Sequence, residues 1–227
     1  MIKNINLKGG LCNRLRVVMS LFNKLKNGES LNVSWIFGPN QPTNCTFLDF
    51  FKPLENVTFT TNNLLRYYYS GDGSDLVKHG IINPGLYRSL EINDELRLQI
   101  NTLKEKMGKY IAVHIRRTDH VICRRRRGES FTQNDIFIDF INKYPDHNLY
   151  IATDNDKTYQ EFMNIYPDRV IINNLGKFDD KKYGKRNTEM IDAVIDMYMC
   201  IESEYFKGTD FSSFTDFILD NRHTDEV

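Results

Sequence analysis

The hydrophobic pattern of the N-terminal third predicts the start of a parallel α/β sheet. Apolar and polar residues alternate over residues 2–7, as in a short strand, and a Gly-Gly pair then breaks the pattern. Apolar residues recur at helical spacing from Leu11 to Leu25, and Gly28 is the expected end of this helix. Residues 31–37 are rich in β-formers and predict a second strand. The order strand, glycine loop, helix and strand is the usual opening of a parallel sheet.

The pattern weakens over residues 38–100, where turn residues are mixed with aromatic residues. The sequence predicts only short strands and loops in most of this segment. A helical pattern returns over residues 93–108, with Asn93 or Asp94 as the N-cap and Gly108 as the end. Gly108 is also the expected joint between two α/β halves.

The second half alternates strands and helices more clearly. Three strands are predicted, over residues 110–115, 148–154 and 169–174. Helices are predicted over residues 131–145 with Thr132 as N-cap, 157–167 and 187–206, and a last helix follows residues 209–213. The predicted fold is therefore α/β, with two small Rossmann-like halves, 1–107 and 108–227, that contain parallel sheets covered by helices.

Composition and charge limit the class of protein. The 227 residues include 30 basic and 30 acidic side chains, so the formal net charge is zero. General nucleic-acid binders are normally basic, so no nucleic-acid partner is expected. The four cysteines are far apart and form no CxxC pair, which argues against a structural zinc site. The sequence shows no signal peptide and no apolar stretch long enough for a membrane span, so we expect a soluble protein with reduced thiols.

Polar clusters directly follow three of the predicted strands. GGLCNR begins at Gly9, HIRRTD at His114 and ATDND at Ala152, while TDFSS, from Thr209, precedes the last helix. Ligands of open α/β sheets bind beyond the carboxyl ends of the strands. These four clusters are therefore the candidate functional site.

The adjacent arginines of the second cluster indicate an anion. Guanidinium groups hold phosphate oxygens in a bidentate manner, which favours Arg116 and Arg117 as phosphate ligands over an ion pair with Asp119. Alternation along the strand places His114 and Arg116 on one face, and Arg117 on the other face, turned inward to brace the loop. His114 is alternatively a hydrogen-bonded core residue.

The glycine loop and the serine pair are two further candidate anion sites. Gly10, Asn13 and Arg14 lie in a turn that opens a helix, and free N–H groups at a helix start bind anions, although Gly-Gly is also an ordinary turn. The loop has neither the dinucleotide GxGxxG pattern nor the P-loop GK[ST] pattern, which disfavours a kinase or a dinucleotide enzyme. Ser212 and Ser213 either cap the last helix or bind phosphate.

The remaining charged clusters each have more than one interpretation. Asp154 and Asp156 lie at the end of a predicted strand. They are interpreted as hydrogen-bond partners of a ribose, base or sugar, or as metal ligands, although no spacing of further ligands supports a metal site. Asp196 follows Asp192 by one helical turn, and a carboxylate there is able to accept the N1–H and amino group of a guanine, whereas Asp192 fits a solvated helix face better. The four arginines at 124–127 are interpreted as a basic loop that helps to hold the donor or an anionic acceptor, rather than as a nuclear-targeting or nucleic-acid patch.

Together the clusters resemble a known family. HIRRTD is similar to the first motif of the α1,6-fucosyltransferases and of the rhizobial nodulation fucosyltransferase, and protein O-fucosyltransferases carry a looser form. LYIATDNDKTYQEFMNIYP resembles the second motif, except that Asn155 replaces the second Asp of Ala-Thr-Asp-Asp. DMYMCIESEYFKGTDFSSF resembles the third motif, and GGLCNRLR resembles the N-terminal glycine loop of these enzymes. The three motifs occur in the order of the family.

The resemblance implies the GT-B architecture, with residues 1–107 on the acceptor side and residues 108–227 holding GDP-fucose. It implies an inverting glycosyltransferase that transfers fucose to a glycan or another hydroxyl acceptor, without a metal or other cofactor. A cytoplasmic enzyme, bacterial or viral, is expected because no anchor is visible in the sequence. The alternatives are another GDP-deoxyhexose as donor, or a non-catalytic protein that binds a nucleotide, or RNA through residues 124–127.

The resemblance also implies roles for individual residues. Arg116 and Asp119 are the expected catalytic residues, with Arg116 neutralising the departing GDP and Asp119 shaping the loop. The expected donor-binding residues are Arg116 and the Ser212–Ser213 turn at the diphosphate, His114 and Asp196 at the guanosine, Asp154 near the ribose or base, Arg117 in the loop, and Gly10, Asn13 and Arg14 in the glycine loop.

Overall fold

A computed structural model describes residues 1–38, 45–171 and 190–222 of the protein. The strands are β1 (Ile2–Leu7), β2 (Ser30–Ser34), β3 (Val57–Thr60), β4 (Tyr69–Gly71), β5 (Tyr110–Ile115), β6 (Asn148–Thr153) and β7 (Tyr205–Gly208). The helices are α1 (Leu11–Phe22), α2 (Asp94–Met107), α3 (Thr118–Arg126), α4 (Asn134–Asn142), α5 (Asp156–Ile165), α6 (Met190–Ile201) and α7 (Ser213–Arg222).

The strands form two sheets. The first has the order β3-β2-β1-β4 and the second has the order β6-β5-β7, and all neighbouring strands run parallel. This arrangement confirms the α/β class with parallel sheets. In each sheet the first strand along the chain occupies an inner position, so the segments that follow β1 and β5 lie between those of neighbouring strands.

β5 is buried on both faces, and all six of its residues are buried. Ile111 and Val113 pack in one apolar cluster with Phe137 of α4 and Phe162 of α5. Ala112, on the opposite face, belongs to a larger cluster that includes residues of α6 and of the first sheet. Full burial of one large apolar side chain contributes about 1.5–3 kcal/mol, so these layers hold the carboxyl end of β5 firmly in place.

The helix predicted over residues 93–108 is confirmed, together with its ends. The Oδ1 atom of Asn93 accepts a hydrogen bond of 2.9 Å from the backbone N–H of Leu96, as an N-cap does. Gly108 follows the last turn with a φ of 58°, a conformation that favours glycine.

The first predicted helix ends earlier than Gly28. α1 stops at Phe22, and Asn23 is its C-cap residue. The next backbone bonds, such as the one from Leu25 N–H to the Phe22 carbonyl, join residues three apart and form turns. The predicted end was wrong because Leu25 extends the apolar spacing, although it is only partly buried at the edge of the core.

Three predictions in the second half need correction. Thr132 is not the N-cap of α4, since Gln133 occupies that position while the Thr132 hydroxyl bonds to Asp210. The arginines at 124–127 are not in a loop, because α3 extends to Arg126. Only Val170 of the strand predicted at 169–174 pairs, through an isolated bridge to β6, and residues 172–174 lie outside the described residues.

The helix predicted over residues 187–206 is too long. α6 ends at Ile201 and is followed by strand β7, while residues 187–189 lie outside the described residues. The Arg222 guanidinium donates hydrogen bonds to the Cys200, Ile201 and Ser203 carbonyls at 2.9, 2.8 and 2.7 Å. This cap comes from α7, a distant part of the chain, so the local pattern contains no sign of it.

Candidate functional site

The carboxyl ends of the three strands of the second sheet meet at one edge. Ile115 of β5 lies opposite Thr153 of β6, so the segments that follow them begin side by side. Thr209, directly after β7, is fully buried and bonds to both sides of the turn after β5. Its hydroxyl donates to the His114 carbonyl at 2.9 Å and accepts from the Arg116 N–H at 2.9 Å. The structure thus brings together three of the polar clusters that the sequence singles out.

Arg116 keeps a partly exposed guanidinium at this edge. Its Nη2 atom donates to Oδ1 of Asp119 at 3.0 Å, and the two side chains are 30% and 41% exposed. An ion pair with this exposure contributes about 0–1 kcal/mol, because water screens it. Arg116 is therefore able to exchange Asp119 for another anion at little cost.

Arg117 points into the protein, as its place on the opposite face of the strand predicts. Its guanidinium donates to the Thr132 carbonyl at 3.0 Å and to the Asn134 side chain, and lies 5.8 Å from the Phe131 and Phe137 ring centroids. Burial lowers the pKa of Arg117 below its ordinary value. These contacts place Arg117 behind the site, where it braces the turn.

Asp154 and Asn155 cap two neighbouring helices. The Asp154 carboxylate accepts from the Arg117 N–H at 2.8 Å and from the Thr118 hydroxyl, and so holds the start of α3. Asn155 Oδ1 accepts from the Thr158 N–H at 2.9 Å and caps α5. Asn155, the residue that departs from the family motif, therefore works as an N-cap.

His114 and Asp196 are both buried deeper under the edge. The His114 ring stacks on Phe214 at 4.4 Å between centroids, and its Nδ1 atom bonds to the Thr215 hydroxyl at 2.9 Å. Asp196 of α6 accepts a hydrogen bond of 2.7 Å from the Tyr150 hydroxyl. The sequence reasoning did not single out Phe214, although it directly follows the serine pair.

The serine pair lies at the start of α7, directly before Phe214. Ser212 is 1% exposed, and its hydroxyl has no hydrogen-bond partner among the described residues. A buried unpaired hydroxyl costs about 1–3 kcal/mol, and a ligand oxygen would relieve that cost. Gly208 permits the close packing of this turn, since a Cβ atom there would lie 2.4 Å from Cγ2 of Thr215. The start of α7 therefore has both the free N–H groups and the unpaired hydroxyl of an anion site.

The glycine loop lies at the start of α1, on the edge of the first sheet. Gly10 is the N-cap residue, without a side-chain cap, and a Cβ atom there would meet nothing within 4 Å. Asn13 is partly buried in the first turn. Arg14 is buried, and it donates to the Gly9 carbonyl at 3.0 Å and to the Ile36 carbonyl at 2.7 Å. Burial lowers the pKa of Arg14 to about 10, and the side chain braces the loop from behind.

Three residues that the sequence reasoning missed connect α1 to α7. Arg16 of α1 donates to Oδ2 of Asp216 at 3.0 Å, and this oxygen lies 2.5 Å from Nδ1 of His79. Arg16 interrupts an apolar run, which was a usable sign of a buried ion pair. The other two carry no local signal, because His79 and Asp216 are 137 residues apart in the chain.

Two absences are observed among residues 1–38, 45–171 and 190–222. No helix there is long and apolar enough to cross a membrane. No group of three or more His, Cys, Asp or Glu side chains in the same ranges is arranged to hold a metal ion.

Comparison with known proteins identifies relatives of this fold. Residues 85–225 match the family model of the GDP-fucose protein O-fucosyltransferases. POFUT1 in complex with GDP is 10% identical with a TM-score of 0.63, over 99% of this chain and 96% of that one. The NodZ alpha-1,6-fucosyltransferase co-crystallized with GDP is 15% identical with a TM-score of 0.57, over 96% of this chain and 92% of that one.

A third structure, fucosyltransferase NodZ from Bradyrhizobium, is 15% identical with a TM-score of 0.56, over 96% of this chain and 93% of that one. No curated protein sequence matches the chain. These structural likenesses confirm the GT-B-like fold that the motifs led us to expect.

Proposed function

The chain belongs to the GDP-fucose protein O-fucosyltransferase family, and from this membership we propose that it transfers fucose from GDP-fucose to a glycan or another hydroxyl acceptor. The family match covers the three motif regions that hold the candidate site. Within this proposal, residues 1–107 form the acceptor side and residues 108–227 the donor domain.

The observation that carries the proposal is the anion site at the edge of the second sheet. Arg116 offers a guanidinium that donates to the partly exposed carboxylate of Asp119, and Ser212 offers a buried hydroxyl without a partner in the described part of the chain. The positive end of α7 adds to this field. A diphosphate bound between them would satisfy the hydroxyl and replace the weak ion pair.

The proposed reaction proceeds with inversion at the sugar carbon. The acceptor hydroxyl attacks C1 of the fucose, the bond from C1 to the β-phosphate oxygen breaks, and GDP leaves with the electron pair. Negative charge grows on the diphosphate in the transition state, where Arg116 and the N–H groups of α7 stabilise it. Asp119 orients Arg116 when the site is empty. Because the protein supplies this positive charge, we propose that no metal is needed.

The guanosine fits the buried end of the same site. The stacked pair of His114 and Phe214 supports a flat apolar wall, and the carboxylate of Asp196 supports recognition of a guanine edge. In this arrangement Arg117 and Asp154 shape the turn, while Gly10 and Asn13 face the donor from the first half.

The alternative of RNA binding through residues 124–127 is less well supported. The Arg124 guanidinium lies 4.1 Å from the Phe211 ring centroid and pairs with Glu129 at 3.1 Å. Arg125 lies 5.3 Å from the Phe131 ring centroid. Half of the basic run is thus packed against the protein.

Calorimetric titration with GDP, in EDTA and with UDP and ADP as controls, tests the nucleotide. We expect GDP to bind most tightly and Arg116→Ala to weaken it about tenfold or more, since a hydrogen bond to a charged group contributes about 1.5–3 kcal/mol. Arg66→Ala, an exposed arginine that precedes β4 at the amino edge of the first sheet, is the matched control and should bind GDP normally. Equal binding of all three nucleotides, or of none, would overturn the proposal.

Release of GDP from GDP-fucose then tests the donor and the absence of a metal. GDP-fucose should be consumed in the presence of EDTA, and faster than other GDP-deoxyhexoses. A rate that EDTA abolishes and a divalent cation restores would contradict metal independence. Faster consumption of another GDP-deoxyhexose would reassign the donor, because the diphosphate contacts are common to all of these sugars.

A further inference from the structure

We propose that His79 is the general base that deprotonates the acceptor hydroxyl, and that Asp216 holds it in position. This inference rests on the proposed function, since a transfer with inversion requires a group that accepts the hydroxyl proton. The known parts of the site explain how GDP leaves, but they do not include that group.

Three carboxylates that the sequence singles out in the second half have other contacts. Asp119 pairs with Arg116, and Asp154 accepts hydrogen bonds from the start of α3. Asp196 is buried and bonds to the Tyr150 hydroxyl. His120, the nearest histidine along the chain, has a buried Nε2 atom. These contacts make the four residues poor candidates for the base.

His79 and Asp216 have the geometry of a catalytic dyad. Nδ1 of His79 lies 2.5 Å from Oδ2 of Asp216 and 3.4 Å from Nη2 of Arg16. A carboxylate only accepts hydrogen bonds, so the short contact with Asp216 favours the tautomer with the proton on Nδ1. In that tautomer Nε2 is the ring nitrogen that accepts a proton. The side chain of His79 is 37% exposed, whereas that of Asp216 is 9% exposed. A buried acid thus orients a histidine that substrate is able to reach, as in other histidine bases.

The dyad is close to the proposed diphosphate site. The N–H of Asp216 donates to the Ser212 carbonyl at 2.9 Å, which places Asp216 one turn, or about 5.4 Å, along α7 from the turn that would hold phosphate. His79 itself belongs to residues 1–107, the proposed acceptor side. The imidazole therefore stands between the two halves, where acceptor and donor must meet.

Several contacts keep His79 at this place. The Gly80 N–H donates to the second oxygen of Asp216 at 3.2 Å, and the Asn83 N–H donates to Asp220 at 2.7 Å. The Tyr87 ring packs 4.4 Å from that of Phe217 on the same helix. Arg16 donates to Oδ2 of Asp216 at 3.0 Å and holds the carboxylate in place. The segment after His79 is thus attached to α7 along more than one turn.

The proposed step balances as follows. The acceptor O–H proton moves to Nε2 of His79 while the oxygen forms its bond to C1 of the fucose. The bond from C1 to the β-phosphate oxygen breaks, and GDP departs with that electron pair. The positive charge formed on the imidazole is stabilised by the Asp216 carboxylate. Exchange with solvent afterwards returns the proton to water.

The variant His79→Asn separates this role from a structural one. An asparagine amide donates a hydrogen bond from nearly the place of Nδ1, so it retains the contact with Asp216 and removes the basic Nε2 atom. His147→Gln is the matched control, because Nε2 of His147 also meets a carboxylate, Glu204 at 3.0 Å. His147 precedes β6, at the opposite edge of the sheet from the site.

The assay is release of GDP from GDP-fucose with water as the acceptor, with and without sodium azide. Azide is already an anion and needs no base. We expect His79→Asn to bind GDP within about twofold of wild type, to release it at least about 100-fold more slowly, and to recover in azide with formation of fucosyl azide. His147→Gln should match wild type throughout.

Either of two results would overturn the inference. In the first, the His79→Asn variant releases GDP at the wild-type rate. In the second, the variant releases GDP slowly and azide does not restore the rate. Failure of the proposed function is a separate result, in which wild-type protein neither binds GDP nor releases it from GDP-fucose. Thermal unfolding of each variant confirms that folded protein is compared.

A second experiment tests the positioning role of Asp216. Asp216→Asn should slow GDP release in the wild-type background and have little further effect in the His79→Asn background, because the two residues act as a unit. Equal slowing in both backgrounds would mean that Asp216 only stabilises the fold, and the dyad would be rejected.

Discussion

Each half of the protein carries a pair of neighbouring arginines after an inner strand, Arg14 and Arg16 in the first half and Arg116 and Arg117 in the second, and the two pairs differ. Arg14 and Arg16, after β1, are 2% and 1% exposed. Arg117, after β5, is likewise turned inward and lies 5.8 Å from the ring centroids of Phe131 and Phe137. The side chain of Arg116 is 30% exposed, and it pairs with the partly exposed carboxylate of Asp119.

The difference shows that the partners of an arginine, and not its place after a strand, decide what it does. Arg14 and Arg117 donate to backbone carbonyls, which are fixed and would lose a partner if the side chain turned away. Arg16 is paired with a buried carboxylate. The exposed ion pair of Arg116 with Asp119 opens at little cost. Of the four, Arg116 is the arginine suited to an incoming anion.

The largest effect is expected from breaking the buried pair. Arg16→Met leaves the Asp216 carboxylate buried without its cation, and loss of one partner of such a pair costs about 3–5 kcal/mol. Urea unfolding should show this loss in the free energy of unfolding. Adding Asp216→Asn should recover part of the stability, since it removes the uncompensated charge. A loss for Arg16→Met below about 1 kcal/mol would mean that this arginine is no more committed to the fold than Arg116.

An intermediate effect separates the two adjacent arginines. Arg117→Met should cost about 2 kcal/mol in unfolding free energy, because buried acceptors such as the Thr132 carbonyl lose their donor. Arg116→Met should stay within about 0.5 kcal/mol of wild type, as surface changes usually do, and should lose GDP affinity. The two variants are compared by urea unfolding and by calorimetry. Equal losses of unfolding free energy in the two variants would mean that Arg117 supports the fold no more than Arg116 does.

This distinction was partly predictable from the sequence. Alternation along a buried strand places successive side chains on opposite faces, so the inward turn of Arg117 followed from the pattern. The meeting of the polar clusters followed as well, because carboxyl ends of parallel strands share an edge. The same pattern placed His114 with Ala112, and the structure puts both on the face toward the larger core cluster.

Other parts depend on contacts between distant residues, which a local pattern does not contain. α3 buries none of its residues and has no apolar stripe, and its start is held by Asp154 from another strand. Asp216 is 200 residues from Arg16 and 137 from His79. The early end of α6 depends on Arg222. In each case a charged side chain from elsewhere satisfies a helix end or another charge.

The smallest effect is a pH dependence that reports the charge of Arg116. Burial lowers the pKa of His120 in α3, and the charges of Arg116 and Arg124 lower it further. The unfolded chain therefore binds a proton on His120 at a higher pH than the folded chain does, so stability is full above about pH 6.5 and falls as the pH decreases. Arg116→Met should lessen this acid destabilisation, whereas Arg117→Met should leave it unchanged, because Arg117 is not among the charges that shift His120. Melting temperatures measured between about pH 5 and pH 8 test this, with His120→Asn as the variant that removes the titrating group. An acid loss in Arg116→Met as large as that in wild type would show that its positive charge does not reach His120.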